Sequence, residues 1–280
     1  MAYNELEQRG TTDFPVSLYH LDKDHSRYHM AAHWHSEIEL MRVLEGELSV
    51  TLNNNHFVAQ KGDVVFVNSE TVHRATPKDC QYECIVFHIN FLYMDTHSCR
   101  FFIESLLNRD YLVTEHIPRS NKELNKAGNA VFDALKMQSS GYKFRAIAAF
   151  YNFFGIIIDS HAYGPSSGNA KLTDDKNIAR LKKILSFIRE NFDRPITLEN
   201  MAQTADMSPK YFGSYFKNMT GKTPIEYLNE YRIEKACRKL TYTDNSVTEI
   251  AFSCGFNDLS YFIKTFKQVK GSSPGKFRNR

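Results

Sequence analysis

The spacing of apolar positions changes along the chain. In the first hundred residues apolar and polar side chains alternate with a period of two, whereas after Asp174 they repeat at helical spacing. The segment YGPSSGNAK between these regions is rich in glycine, proline and serine, as linkers commonly are. The 280 residues are therefore predicted to form two domains, residues 1–163 and 174–280, joined by a linker at residues 164–173.

The first domain has the pattern of antiparallel β-structure. Turn signals at Gly46, at the three asparagines 53–55 and at Lys61-Gly62 separate short alternating runs. The predicted strands cover residues 16–21, 38–44, 47–52, 56–59, 63–67 and 83–89. Short and evenly spaced strands favour a closed jelly roll, whose interior commonly holds a ligand.

From about residue 101 to residue 161 the period becomes helical. The segment FRAIAAFYNFFGIIIDS places Ile147, Phe150, Phe154 and Ile157 on one apolar stripe that is wide enough to require burial. We expect this stripe to pack against the outside of the barrel. Alternatively, the stripe or the preceding helix around residues 130–137 could form the contact between two copies of the chain.

The last hundred residues contain the same helix-turn-helix pattern twice. The first part of the pattern recurs at an offset of 49 residues and the second part at 50, because one residue is added at the second turn. The first part pairs Leu198, Met201, Ala202, Ala205 and Met207 with Val247, Ile250, Ala251, Cys254 and Phe256. The second part pairs Tyr211, Phe212, Phe216, Lys217, Gly221 and Pro224 with Tyr261, Phe262, Phe266, Lys267, Gly271 and Pro274. Such a repeat indicates a duplicated supersecondary unit.

The second helix of each copy is predicted to enter a major groove of DNA. In the first copy Ser208 and Pro209 supply a cap and a first-turn proline, and in the second copy Asn257 or Asp258 supplies the cap. Aromatic residues at core spacing are expected to pack inside each unit. The predicted DNA-binding residues are Lys210, Ser214 and Lys217 in the first helix and Leu259, Ser260, Ile263, Lys264 and Lys267 in the second.

A long helix is predicted between the two copies. Thr223 and Glu226 form a capping box with Pro224 at the first helical position, and the helix should run to about residue 240. At 1.5 Å per residue it spans about 25 Å. A rod of this length can hold two recognition helices about one DNA turn, roughly 34 Å, apart. One chain could then read two successive major grooves on one face of the duplex.

The distribution of charge favours a nucleic-acid partner for the second domain only. Residues 171–280 carry 20 Lys and Arg against 12 Asp and Glu, a net charge of +8, whereas residues 1–170 carry 15 against 20, a net charge of −5. A basic surface suits the phosphate backbone of DNA. The opening segment MAYNELEQRG, the absence of a long apolar run and five cysteines without zinc-type spacing favour a cytoplasmic protein with free thiols and no membrane partner.

Residues 178–280 resemble the DNA-binding domain of the AraC/XylS family of bacterial transcription regulators. The resemblance is carried by ITLENMAQTADMSPKYFGSYFKNMTGKTPIEYLNEYRIEKACRKL and SVTEIAFSCGFNDLSYFIKTFKQVKGSSPGKFR, which hold the family's order of caps, glycines and phenylalanines. Gly213 departs from the family pattern, in which a larger polar side chain is common. The segments HWHSEIELMRVLEG and KGDVVFVNSETVH are similar to a cupin, the usual sensor half of sugar-responsive members.

The resemblance implies a two-domain α+β fold. Its first domain would be a cupin-like antiparallel β-barrel, or jelly roll, with flanking helices, and its second an all-α domain with two helix-turn-helix motifs. The first domain is then expected to bind an effector and to form a homodimer, and the second to bind double-stranded promoter DNA. By analogy with the family, the protein is expected to activate transcription through RNA polymerase.

Four side chains mark the expected effector site in the barrel. His33, His35 and Glu39 share parity, so that on one strand all three would point to the same face. His73 lies where the cupin pattern places its last histidine. Three imidazoles and a carboxylate could hold a divalent transition metal. Alternatively, they line a polar pocket that hydrogen-bonds an organic ligand, or they satisfy one another, and the degraded second half of the metal-cupin motif weakens the case for a metal.

These features predict a transcription regulator that binds promoter DNA and senses a small molecule, which we expect to be a carbohydrate. One alternative is a constitutive DNA-binding regulator whose barrel is vestigial. Another is a cupin metalloenzyme fused to a DNA-binding domain, motivated by His33, His35, Glu39 and His73. Nothing else in the barrel suggests a paired acid and base or an activated nucleophile, so no catalytic residue and no enzyme activity are predicted.

Overall fold

A computed structural model describes residues 10–278 of the chain, apart from residues 12, 26, 94–95, 138 and 167–171. Its internal contacts divide the chain into two units, with the boundary in the sequence between Asp174 and Asp175. The first unit is rich in β-structure and the second is helical, as predicted. Residues 167–171 of the predicted linker lie outside the described part of the chain.

The first unit consists of an antiparallel sheet with flanking helices. Its strands are β1 (Val16–Leu21), β2 (Met30–His33), β3 (Ile38–Leu52), β4 (Asn55–Gln60), β5 (Val64–Val67), β6 (His73–Phe87), β7 (Tyr111–Val113), β8 (His116–Ile117) and β9 (Tyr163–Pro165). Its helices are α1 (His97–Leu107), α2 (Lys122–Lys136) and α3 (Tyr142–Asp159), with a single 3-10 turn at Ile89–Leu92. The main sheet has the order β1-β6-β3-β5-β8, with β2 paired to β6 and β4 to β3, while β7 pairs with β9.

One predicted break between strands is wrong. Residues 38–44 and 47–52 were expected to form two strands, but β3 continues through Gly46, whose φ is +71°. A Cβ atom at Gly46 would lie 2.0 Å from the carbonyl oxygen of Asp79 in β6. The register of β3 against β6 also shifts at this point. Gly46 therefore permits a bulge within a continuous strand and does not end it.

The other predicted strands agree with the structure to different degrees. The strands predicted at residues 16–21, 56–59 and 63–67 are confirmed as β1, β4 and β5. Strand β6 starts at His73, ten residues before the predicted start at residue 83. The prediction missed its first half because Pro77 and the two polar residues that follow resemble a turn. The region predicted to be helical also contains the short strands β7 and β8, which pair with residues distant in the sequence.

The sheet carries an apolar cluster on each face. Met41 belongs to an inner cluster that is built from strand residues, whereas its neighbour Leu40 packs on the opposite face. There Leu40 and Phe66 meet Phe150 and Ile157 of α3. Alternate residues of a strand point to opposite faces, which explains this division. The predicted packing of the apolar stripe against the outside of the sheet is confirmed.

The second unit is built from helices α4 (Leu172–Asn191), α5 (Leu198–Thr204), α6 (Pro209–Thr220), α7 (Pro224–Tyr242), α8 (Val247–Ser253), α9 (Leu259–Lys270) and α10 (Pro274–Arg278). Helices α5 and α6 form one predicted helix-turn-helix unit, and α8 and α9 form the other. Helix α7 lies between them and has 19 residues, which corresponds to about 28 Å. Among the described residues, no helix combines the length and apolar character needed to cross a bilayer.

Candidate functional site

The two helix-turn-helix units repeat the same backbone conformations. Asp206 and Gly255 occupy equivalent positions in the turns and have φ values of +56° and +83°. Gly221 and Gly271 end the recognition helices α6 and α9 in the left-handed region, at +78° and +69°. A residue in the left-handed conformation lets backbone N–H groups after the helix bond to its last carbonyl oxygens. The sequence repeat is therefore also a repeat of local structure.

Arg232 of α7 lies beside the turn of the second helix-turn-helix motif and bonds to the segment that follows α4. Its Nε donates to the carbonyl oxygen of Phe192, and its Nη2 donates to the carbonyl oxygen of Arg194, both at 2.8 Å. Gly255 approaches the same place, since a Cβ atom there would lie 2.2 Å from the Phe192 oxygen. Only glycine allows the turn, α7 and the end of α4 to come this close.

Side-chain caps start most helices of the second unit. Capping boxes open α5, α7 and α8 through the pairs Thr197 and Asn200, Thr223 and Glu226, and Ser246 and Glu249. Asp258, and not Asn257, caps α9, because its Oδ1 accepts a hydrogen bond from the backbone of Tyr261 at 2.6 Å. Ser208 occupies the cap position of α6, but its side chain makes no capping hydrogen bond.

The recognition helices expose matching faces. Phe212, Tyr215 and Phe216 of α6 are buried, as are Phe262, Thr265 and Phe266 of α9. The predicted DNA-binding residues that are exposed are Lys210, Ser214, Lys217, Ser260, Ile263, Lys264 and Lys267. Leu259 is half-buried and packs against the core of the second unit, so less of its side chain is open to a DNA contact.

Two exposed tyrosines on these helices were not among the predicted contacts. Tyr211 exposes 64% of its surface and Tyr261 exposes 48%. The hydroxyl of Tyr261 accepts a hydrogen bond from Nδ2 of Asn229 at 2.8 Å, which connects α9 to α7. The signal that could have found them is their repetition at equivalent positions of the two copies. Gly213 also belongs to α6, and a Cβ there would meet no atom within 4 Å.

The four predicted effector residues meet in the first unit. The ligand atoms of His33, His35, Glu39 and His73 all lie within 4.8 Å of one another. Nε2 of His35 and Nε2 of His73 each lie 3.2 Å from Oε2 of Glu39. Glu39, His35 and His73 are at most 2% exposed, and His33 is half-buried. We call these four residues the histidine cluster.

Parity along one strand is not what brings the histidine cluster together, so that part of the prediction is wrong. His33 ends β2, His35 lies in the loop that follows, and Glu39 belongs to β3. His73 begins β6 and is the antiparallel partner of His33. This pairing explains why the rings of His33 and His73 have centroids only 4.2 Å apart.

A backbone carbonyl oxygen holds each histidine ring. The Nδ1 atoms of His33, His35 and His73 lie 2.9, 3.0 and 2.8 Å from the carbonyl oxygens of Ala31, Glu37 and Thr71. Because a carbonyl oxygen only accepts hydrogen bonds, Nδ1 carries the hydrogen in all three rings. In a neutral ring with its hydrogen on Nδ1, the lone pair lies on Nε2.

Glu39 is a buried charge with one unsatisfied oxygen. Burial raises its pKa, but the hydrogen bonds and charges of His35 and His73 outweigh burial and hold the pKa well below its ordinary value. The carboxylate is therefore ionised. Its Oε1 is buried and has no hydrogen-bond partner among the described residues, although buried charged groups are normally paired and hydrogen-bonded.

A second buried carboxylate supports the fold on the outer face of the sheet. Glu83 accepts hydrogen bonds from Arg42 at 2.7 Å and from Lys136 at 2.5 Å, and it contacts His20 at 3.2 Å. Arg42 also reaches Asp133 of α2 at 2.8 Å. Burial raises the pKa of Glu83, but the bonds from Lys136, Arg42 and His20 outweigh burial and lower it. This network ties α2 to the sheet.

Known protein families match both units. The family model for an AraC-like ligand binding domain matches residues 15–154, and the model for a helix-turn-helix domain matches residues 201–280. The uncharacterized HTH-type transcriptional regulator YdeC of Bacillus subtilis is 26% identical over 98% of this chain and 95% of its own length. The HTH-type transcriptional activator RhaS of Mannheimia succiniciproducens is 27% identical over 88% of each chain. Among solved structures, the DNA-binding domain of AdpA in complex with a target DNA is 31% identical, with a TM-score of 0.35, and the match covers 36% of this chain and 90% of that one.

Proposed function

Because the chain belongs to the AraC family of DNA-binding transcription regulators with a ligand-binding domain, we propose that it activates transcription when a small carbohydrate binds at the histidine cluster. Activation is transferred from relatives named as transcriptional activators. The proposed partners are promoter DNA, RNA polymerase and a second copy of the chain, and the proposed location is the cytoplasm. Residues 1–163 and 174–280 are the proposed domains, with the linker between them.

The histidine cluster supports effector binding because it places polar groups next to an apolar interior. Met41, two residues from Glu39 on β3, belongs to the inner apolar cluster. Hydroxyl groups of a carbohydrate can donate to an unpaired carboxylate oxygen, and the Oε1 atom of Glu39 is such an acceptor. His33 is the half-buried member of the cluster and marks its more accessible side. The unsatisfied oxygen of Glu39 is the observation that carries this assignment.

The matching exposed faces of α6 and α9 support DNA reading by both helices. We assign Lys210, Ser214, Ser260 and Lys264 to base edges, and Lys217 and Lys267 to phosphate. Side chains near the start of a recognition helix reach base edges most readily, whereas those further along meet the backbone. Gly213 leaves α6 with fewer long side chains, so α9 should carry more of the sequence preference.

Dimer formation is assigned to the first unit. Phe144 of α3 exposes 83% of its surface and Ile158 of the same helix exposes 38%. Large exposed apolar patches mark sites of association, and we assign these two side chains to such a patch. The second unit already contains both DNA-reading motifs, so it needs no partner to engage two grooves.

A promoter–reporter assay with sugars tests the effector assignment. Glu39→Ala and His35→Ala should abolish the response to an activating sugar, while binding of the full-length protein to operator DNA stays unchanged. His56→Gln is the matched control, because His56 is an exposed histidine of the same unit that lies outside the histidine cluster. A double variant that responds at the wild-type sugar concentration would show that the effector binds elsewhere. Equal transcription with and without every sugar would favour a constitutive regulator.

A further inference from the structure

Tyr261 is an exposed side chain that the second unit nevertheless holds at three points. Its backbone N–H donates to Oδ1 of Asp258 at 2.6 Å, which fixes the first turn of α9. Its ring lies beside the ring of Phe256, with the centroids 6.1 Å apart. Its hydroxyl oxygen accepts a hydrogen bond from Nδ2 of Asn229 at 2.8 Å. Tyr261 still exposes 48% of its surface, so these contacts do not bury it.

Asn229 gives the hydroxyl of Tyr261 a rigid support. It belongs to α7 and exposes only 8% of its surface, so the packing of the second unit fixes its side chain. An exposed tyrosine without such a support has several rotamers, and ordering a side chain during binding costs free energy. The bond from Asn229 therefore sets the position of the hydroxyl oxygen before a partner arrives.

The hydroxyl of Tyr261 keeps one hydrogen to donate. A tyrosine hydroxyl is both a donor and an acceptor of hydrogen bonds. The bond from Asn229 uses the oxygen as the acceptor, and no group in the described part of the chain accepts the hydrogen. The second unit thus presents an oriented donor beside a recognition helix. The matching group on the partner is a hydrogen-bond acceptor.

The position of Tyr261 on α9 favours the phosphate backbone over the base edges. Successive residues of a helix turn by about 100°, so Ser260 and Lys264 differ by only about 40°, whereas Tyr261 lies about 100° from Ser260. Tyr261 shares its side of the helix with Thr265, four residues further along, which is buried. Tyr261 is therefore at the edge of the exposed face. The edges of a helix in the major groove lie nearest to the phosphates, whose oxygens accept hydrogen bonds from tyrosine.

We infer that Tyr261 donates its hydroxyl hydrogen to one phosphate of the operator, and that Asn229 is a positioning residue that orients this hydroxyl. The inference rests on the proposed reading of DNA by α9. The contact is uncharged, unlike the phosphate contacts assigned to the lysines. It fixes the place of α9 along the duplex, but it adds neither base preference nor release of counterions.

Tyr261→Phe tests the contact because it removes only the hydroxyl. The affinity of the full-length protein for an operator obtained by binding-site selection should fall about tenfold or more, as expected for a hydrogen bond to a charged group. Base preference and the dependence of affinity on salt concentration should stay unchanged, whereas loss of a lysine contact reduces that dependence by about one ion. Tyr93→Phe changes an exposed tyrosine of the first unit and should bind like the wild type. Unchanged affinity of Tyr261→Phe would overturn the inference.

Operators that carry a single methylphosphonate identify the acceptor. Each such duplex replaces one phosphate by a group that has no charge and one oxygen fewer. At one position the replacement should weaken the wild type more than Tyr261→Phe, because the variant has no hydroxyl to lose a partner. At the other positions it should weaken both proteins alike. If no position distinguishes the two proteins, Tyr261 does not contact a phosphate and the inference is wrong.

A double variant separates the positioning role of Asn229 from a purely structural role. Asn229→Ala should weaken operator binding by about 2- to 10-fold, the cost of ordering one side chain on binding. In Tyr261→Phe protein the same change should have no further effect, because no hydroxyl is left to orient. Circular dichroism checks that the variants remain folded. An equal loss from Asn229→Ala in both backgrounds would overturn the positioning role.

The phosphate contact and the reading of bases by α9 fail separately. If Tyr261→Phe keeps wild-type affinity while Lys264→Ala relaxes base preference, the inference is wrong and DNA reading by α9 stands. If Tyr261→Phe loses affinity while Lys264→Ala keeps every base preference, the phosphate contact stands and the assignment of Lys264 to a base edge is wrong.

Discussion

Replacing Gly255 by alanine should destabilise the second unit more than any other glycine-to-alanine change in the helix-turn-helix motifs. Gly255 lies in the turn of the second motif with a φ of +83°, and the new Cβ would lie 2.2 Å from the carbonyl oxygen of Phe192. It would also lie 2.9 Å from the Nε and Nη2 atoms of Arg232. The turn and the Arg232 contacts cannot both keep their positions.

The magnitude follows from two effects. The left-handed conformation costs a residue with a Cβ about 1–2 kcal/mol. Displacement of the Phe192 carbonyl breaks its 2.8 Å bond to Arg232, and a hydrogen bond to a charged group contributes about 1.5–3 kcal/mol. The lower entropy of the unfolded alanine chain returns about 0.4–1 kcal/mol. The net loss should be about 3 kcal/mol, which is a large part of the stability of a domain of this size.

Two other glycines provide matched controls. Gly271 has a φ of +69° but no atom within 4 Å of its would-be Cβ, so Gly271→Ala should show only the conformational cost, about 1 kcal/mol. Gly213 is inside α6, where its Cβ would also meet nothing. Gly213→Ala should stabilise the unit by about 0.5–1 kcal/mol, because alanine favours the helix.

Urea unfolding of the full-length variants measures these differences. Far-ultraviolet circular dichroism reports mainly the helical second unit, whereas fluorescence reports the first unit, since Trp34 is the single tryptophan of the chain and is buried there. The urea midpoint measured by dichroism should shift, whereas the midpoint measured by fluorescence should stay the same. A Gly255→Ala variant that loses no more stability than Gly271→Ala, or a fluorescence midpoint that moves as well, would contradict the predicted clash at Gly255.

Three further predictions concern DNA reading, acid stability and assembly. Lys264→Ala should relax base preference at one position of the site by about 1–3 kcal/mol. Lys217→Ala should weaken binding to all sequences and reduce the dependence of affinity on salt concentration by about one ion. Binding-site selection at fixed salt measures base preference, and unchanged preferences for Lys264→Ala would contradict its role. Glu83 has a lowered pKa in the folded protein, so its stabilising contribution is present above the ordinary glutamate pKa of about 4.3 and is lost as the pH falls further. The stability difference between wild type and Glu83→Gln, followed by fluorescence in urea, should therefore shrink on acidification, and a constant difference would speak against the network. The full chain should sediment as a dimer and residues 171–280 as a monomer, whereas a monomeric full chain would remove the assignment of dimer formation to the first unit.

The helix-turn-helix motifs could be predicted in detail because their signals are local. The caps at Thr223 and Asp258 act within three residues, and the phenylalanines on α6 and α9 repeat within one helix. Leu259 was assigned to DNA although it is half-buried, because spacing alone does not tell where a neighbouring helix covers a side chain. The offset of 49 residues aligns Asp206 with Gly255, but an aspartate gives no sequence signal of the left-handed conformation that its φ shows.

The first unit was harder to predict because its sites depend on pairing between distant residues. His33, His35 and Glu39 were grouped on an argument from one strand that the structure contradicts, and His73 was added from the cupin pattern, yet all four are neighbours. His33 meets His73 through the pairing of β2 with β6, which no local pattern encodes. The bulge at Gly46 likewise depends on the close approach of Asp79 in β6. Without that pairing, a glycine at this position predicts a turn.

A hydroxyl-radical footprint on a selected operator shows whether one chain carries two DNA-reading helices. We expect two protected segments per chain, centred about one helical turn apart on one face of the duplex. Lys264→Ala should change base preference in only one of them. A single protected segment per chain, or two segments on opposite faces of the duplex, would contradict this expectation.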